Sequence, residues 1–277
     1  MTAEEKVARR IGLSTLAPVL FTLVVAMAFA IMLGASNAEI VPLAIFPDGG
    51  SGALFNALFF VVAIAGVGLL VYLLVRRRAW RLLRLIIATA FTLVALMLSY
   101  LYISSALDLL GRRGGVLLYA SSLLATAFVV YGVFFAKGRV RVPVVLVFGA
   151  SLGAFLGASI PMSSGVFILV FLALYDILSV YKGPVGRIVA EADPNQIRGL
   201  SVVFRSVQIG LGDLVFYSML VSEMILGYGV VPSLFSMLGV LVGTYLGFKV
   251  LERRRIFPGL PLSLAFGLSL GFLAVLL

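Results

Sequence analysis

The sequence predicts an all-α membrane protein of nine transmembrane helices, with its N-terminus cytoplasmic and its C-terminus outside. Three observations carry the prediction. Apolar runs recur from end to end of the 277 residues, 62% of them hydrophobic, and only 12% are charged, about half the share in a soluble domain. Mean hydropathy is +1.20. The cationic residues fall on alternate connections, and two carboxylates lie deep inside apolar runs.

The first apolar run follows "MTAEEKVARR" and extends from Ile11 to Leu33. It exceeds the roughly 7–15 residues of a signal-peptide core, so it reads as a retained first span. Ala53–Val75, Leu85–Ala106, Val116–Phe135 and Val142–Ile160 follow as spans two to five. The turn-like "PMSSG" (Pro161–Gly165) then separates the sixth, Val166–Tyr181, expected to be short for a bilayer. Ile209–Gly227, Val230–Phe248 and Leu260–Leu277 complete the set. The runs are continuous, whereas a β-barrel needs short alternating segments. A helix satisfies its own backbone in lipid. No soluble domain of useful size fits between the spans. Residues 1–165 are expected to form a scaffold of five helices, and residues 166–277 a second group of four carrying the functional motifs.

With the N-terminus inside, every Lys and Arg except Arg112 and Arg113 falls on an inner segment. Dropping one span would scramble this bias, which supports both the count and the orientation. The net charge of +10 therefore reads as topology and attraction to lipid headgroups, not nucleic-acid binding. Trp80, between Arg78 and Arg81, suits an interfacial anchor. The longest connection, Lys182–Gln208, contains "QIRGLSVVFRSVQ" (Gln196–Gln208). There Ile197, Leu200, Val203 and Phe204 share one helical face. An interfacial helix and a helical extension of the seventh span are equally good expectations.

The chain has no Cys and no His. That removes disulfides, thiol nucleophiles, Ser-His pairs and Cys or His metal sites. No metal or cofactor is expected, and chemistry must run on carboxylates, hydroxyls, Lys, Arg or backbone. Of eleven acids, most fall in connections or termini. Glu223 lies near the outer end of the seventh span, where its head is expected to reach water. Only Asp176 and Asp213 are well inside spans. Asp176 precedes Lys182 by ~9 Å of helix and Asp213 follows Arg205 by ~12 Å. The two are therefore expected at a common depth, on helices consecutive in sequence.

A carboxylate at the centre of a membrane helix costs ~2.5–3.5 kcal/mol on insertion scales, and such residues usually serve a function. Two that face each other cannot both ionise easily, so they share a proton. The ionised member can then take a proton from water while the protonated member donates to a carbonyl, which hydrolyses an amide without metal. The same pair could instead line a proton- or cation-coupled channel or transporter. Gly210 and Gly212, flanking Asp213, would let a helix or a substrate backbone approach closely.

Three separated pieces narrow the choice. "ALYDILSVYKGP" (Ala173–Pro184) carries Tyr175-Asp176, "GLGDLVFYSMLV" (Gly210–Val221) carries Gly210-Leu211-Gly212-Asp213, and "PGLPLSLAFG" (Pro258–Gly267) opens the last span. Together they resemble the presenilin and signal-peptide-peptidase family of intramembrane aspartyl proteases, whose pattern is Y-D, then G-x-G-D, then P-A-L. The flanks are closest to presenilin. The resemblance implies a catalytic pair, Asp176 and Asp213, with Tyr175, Gly210, Leu211, Gly212, Pro258, Gly259, Leu260 and Pro261 shaping the active site. It implies endopeptidase action within transmembrane segments of membrane-protein or signal-peptide substrates. It also implies a prokaryotic, multi-pass homologue that needs no accessory subunit, with oligomerisation open. Gly259 departs from the family Ala, which bears on selectivity. The connection after the sixth span lacks the long apolar segment that eukaryotic presenilins cut on maturation. The prolines at 258 and 261 suggest an extended stretch with free carbonyls beside the site, with which an unwound substrate could pair.

Overall fold

The structure is a computed structural model and describes residues 12–37, 40–112, 115–181, 201–204, 207–253 and 257–277. Lys6, Arg9, Arg10, Arg113, Lys182, Gly183, Pro184, Arg187, Ile197, Arg198, Leu200, Arg205, Arg254 and Arg255 lie outside the described residues. Among the described residues there are nine α-helices. They are α1 (Ala17–Ala35), α2 (Gly50–Arg76), α3 (Trp80–Leu109), α4 (Val116–Phe134), α5 (Gly138–Ser159), α6 (Met162–Tyr181), α7 (Leu211–Tyr228), α8 (Val230–Arg253) and α9 (Leu260–Leu276). Eight apolar helical segments are long enough to cross a membrane, and α9, at 17 residues, is shorter. A short 3-10 turn, Leu13–Leu16, precedes α1.

The hub is α7, which packs against α1, α5, α6, α8 and α9. Its residues from Tyr217 to Ile225 are buried without a break. Helix α2, by contrast, turns Phe55, Phe59, Val62 and Val67 outward, as an apolar helix facing lipid does.

What draws the helices together is small residues. Gly149, Gly153 and Gly157 recur every fourth position on α5. A Cβ at Gly153 would overlap the α7 backbone at Val215, and one at Gly157 would stand 2.8 Å from the Met219 carbonyl. Gly239 and Gly243 on α8 meet the backbone of α9 at Phe266 and Leu262 in the same way. Lipid offers no hydrophobic drive for helices to associate, so close backbone approach supplies dispersion contact instead. This spacing is visible in the sequence and was not read there.

Several expectations are corrected. The sixth span is not short: α6 begins at Met162 and has 20 residues. Ser163 and Ser164, in the expected turn, are in its first turn and donate to Asp48. Of the stretch expected to be helical before the seventh span, the described part forms two paired strands instead, and residues 196–200, 205 and 206 lie outside the described residues. Strand β1 (Ser201–Phe204) pairs antiparallel with β2 (Val207–Gly210), Ser201 opposite Gly210. Its β-branched valines suit a strand, and pairing takes up backbone groups that would otherwise lie bare. Consequently the seventh helix starts at Leu211, not Ile209, and the all-α description holds apart from this hairpin. Glu223 does not reach water; it is 2% exposed.

At the Glu223 end of the bundle, the segment before α2 is strapped to the helices. The Asn56 amide accepts from the Ile45 and Phe46 N–H groups and donates to the Phe46 carbonyl and to Ser164 Oγ. Leu43 N–H donates to the Ser159 carbonyl.

Candidate functional site

At the other end, three chain segments converge where α6 ends and α7 and α9 begin. Hairpin and helix meet at Gly210, the N-cap of α7 with an extended backbone. Asp213 is then the third helical residue, and it lies against Gly210, whose backbone N–H donates to its carboxylate. A third-position acid reaching back to its N-cap is one half of a capping box.

Asp176, about one and a half turns before the end of α6, reaches a different helix start. Its Oδ2 accepts the Leu260 N–H of α9 at 3.0 Å. That N–H belongs to the first turn, where no intrahelical partner exists. Each aspartate thus sits at a helix N-terminus, where unpaired amides and the aligned peptide dipoles favour negative charge. This is how an apolar bundle holds two carboxylates near each other.

The residue between them is Gly259. A Cβ there would stand 2.7 Å from Asp213 Oδ2, tighter than side chains tolerate. Gly259 immediately precedes the Leu260 amide that Asp176 accepts, so the two Oδ2 atoms lie within about 9 Å of each other by covalent geometry. Both aspartates are partly exposed, in contrast to the sealed Tyr217 beside them.

The Gly259 carbonyl is not free, contrary to the expectation of an extended, unpaired stretch. Gly259 has a helical backbone, φ −77° and ψ −39°. Its oxygen accepts from Tyr217 Oη at 2.8 Å and from Ser263 Oγ at 3.2 Å. Thr244 on α8 and Ser263 pair at 2.9 Å. Sequence reasoning missed these three hydroxyls. The signal for Tyr217 was present, since it lies four residues after Asp213 and so shares its helix face. Nothing in the sequence points to Thr244.

Beside Asp213 is a pocket of about 70 Å³, bordered by Tyr217, Thr244, Phe248, Phe257 and Gly259. One water centre needs roughly 10–15 Å³, so a few waters fit.

The remaining expected site residues divide. Pro258 and Leu260 are buried, and Pro261 is half-buried in the first turn of α9. Gly212 has open space around it, so an incoming backbone could approach there. Leu211 faces away and packs at Gly149 of α5. Tyr175 is turned toward α2, its hydroxyl beside Gly68. Among the described residues no cluster of three or more acids could hold a metal ion.

The whole chain matches solved structures. One is a presenilin family intramembrane aspartate protease in a C222 space group: TM-score 0.70, 19% identity, with 96% of this chain and 99% of that chain covered. The fold is that of a presenilin family intramembrane aspartate protease. A structure of such a protease in a P2 space group aligns with TM-score 0.66 and 23% identity, over 93% of this chain and 96% of that one. No family model and no curated protein matches the sequence. At these identities the likeness is one of fold. The presenilin-like fold covers the first five helices as well as the last four, so it extends past the segments that hold the three motifs.

Proposed function

We propose that the chain is an intramembrane aspartyl endopeptidase that hydrolyses peptide bonds within transmembrane segments, with Asp176 and Asp213 as the catalytic residues. The observation that carries this reading is the convergence of both carboxylates on the Gly259–Leu260 peptide, beside a pocket large enough for water. The ionised aspartate removes a proton from water as the oxygen adds to the scissile carbonyl. The protonated one donates to the carbonyl oxygen, giving a neutral tetrahedral diol. Collapse breaks the C–N bond, the amine leaves with a proton, and the pair returns to one shared proton. Substrate enters from lipid as a helix and unwinds before attack, with Gly212 leaving room for its backbone. The N-terminus is cytoplasmic, and water reaches the pair from that side.

The test is purified protein in liposomes with a single-span reporter in ¹⁸O-labelled water. Cleavage should place one ¹⁸O in the new C-terminal carboxylate, and Asp176→Ala or Asp213→Ala should abolish it. Cleavage that persists in either variant would remove the assignment. Ion or solute flux without peptide products would favour a transport pathway through the same carboxylates.

A further inference from the structure

Glu223 is the one strongly buried acid among the described residues that the proposed chemistry does not use. It is 2% exposed, and neither carboxyl oxygen has a hydrogen-bond partner among the described residues. A buried polar group left unpaired costs free energy, so its retention calls for a reason. Its surroundings supply one. The carboxyl head of Glu223 fills the place of the missing side chain at Gly165 on α6. A Cβ on Gly165 would overlap the Glu223 carboxyl carbon and Oε1, and would stand 2.6 Å from Oε2.

Gly165 and Glu223 belong to the two helices that carry the aspartates. From Gly165 to Asp176 is eleven residues along α6, ~16 Å, and from Glu223 to Asp213 is ten along α7, ~15 Å. The helices run antiparallel, so the two contacts lie at matched heights. Between them come Leu169 and Leu172 on α6, and Leu220 and Tyr217 on α7. All four are in one buried cluster and at most 2% exposed. The spacing is four, three and four on α6, and three, three and four on α7. On each helix those steps hold to one face, a seam that α9 also borders, with Leu220 Cδ2 beside Gly267 and Tyr217 Oη on the Gly259 carbonyl.

We propose that Glu223 is a positioning residue. Its flat head seats in the notch at Gly165, fixes the register of α6 against α7, and so sets the separation of Asp176 and Asp213 at the far end of the seam. The inference rests on the proposed role of that pair, but its geometry can be tested without proteolysis.

The chain has no cysteine, so Asp176→Cys with Asp213→Cys makes a single thiol pair. Bis-thiol reagents of graded span then read its separation in liposomes. Glu223→Ala empties the notch and Gly165→Ala crowds it; each should change the best-spanning reagent and lower the yield with the parent's best reagent at least threefold. Combining Gly165→Ala with Glu223→Ala should restore the parent pattern, and Glu223→Gln, which keeps the shape, should leave it unchanged. In the intact-aspartate background, each single variant should lower kcat about tenfold with KM within twofold, and the double variant and Glu223→Gln should recover it. If Glu223→Ala does not fold, Glu223→Asp, one methylene shorter, reads the same contact. A parent-like cross-linking pattern in both folded single variants would overturn the proposal. Responsive cross-linking in a protein that cleaves nothing would uphold the positioning role and defeat the protease reading instead.

Discussion

Two acids on one helix, Asp213 and Glu223, stand ten residues apart and have opposite surroundings. Asp213 is partly exposed, accepts a backbone hydrogen bond from Gly210, borders a pocket and lies beside a second carboxylate across Gly259. Glu223 is sealed, without a hydrogen-bond partner among the described residues, and pressed into a glycine notch. Depth in an apolar run therefore does not by itself identify an acid that does chemistry. Access to water and to converging amide donors makes the difference, and those come from neighbouring helices. The end bearing Asp213 is built from hydrogen bonds converging on the start of α9, whereas the end bearing Glu223 is built from packing and from the Asn56 strap.

The widest separation of the two ends comes from removing carboxylates. Asp176→Ala or Asp213→Ala is expected to lower kcat at least about 10³-fold, roughly 4 kcal/mol of barrier, with little loss of melting temperature. Reporter turnover and a thermal melt, run together, check both halves.

Asn56→Ala is the mirror case at the far end. It strands the Ile45 and Phe46 amides and takes a donor from the Phe46 carbonyl, and is expected to cost about 2–3 kcal/mol of stability. Turnover per folded molecule should stay within twofold, and a large drop in kcat at temperatures below melting would show that the two ends are not separable in this way.

Gly259→Ala restores the residue of the family pattern but drives a methyl toward Asp213 Oδ2. A fall in kcat of about tenfold is expected, near 1.4 kcal/mol. Unchanged turnover would mean that Asp213 swings clear of Gly259 in the working state.

The smallest expected effect is that of Tyr217→Phe, which removes one hydroxyl from the Gly259 carbonyl while Ser263 stays. It should cost about 1 kcal/mol, seen as a fivefold fall in kcat at constant KM. Across all active variants the rate should trace a bell against pH belonging to the pair together, and Glu223→Gln should leave that bell in place.

The nine apolar helices were legible because hydropathy is local, eight of them long enough to cross a membrane: a helix in lipid satisfies its own backbone and needs only enough apolar residues in a row. For the same reason Asp176 and Asp213 could be singled out, and the three motifs around them aligned with a known pattern. The hairpin was missed because Ile197, Leu200, Val203 and Phe204 fit a helical face, while the register of Ser201 against Gly210 depends on cross-strand pairing. Glu223 was misjudged because distance along a helix gives height in the membrane but not what faces the side chain. What the sequence alone determined is a set of apolar helices and the heights of their few charges. Only the tertiary structure decided that α6, α7 and α9 bring two carboxylates to one peptide, since that meeting depends on how closely backbones pack through glycines on helices far apart in the chain.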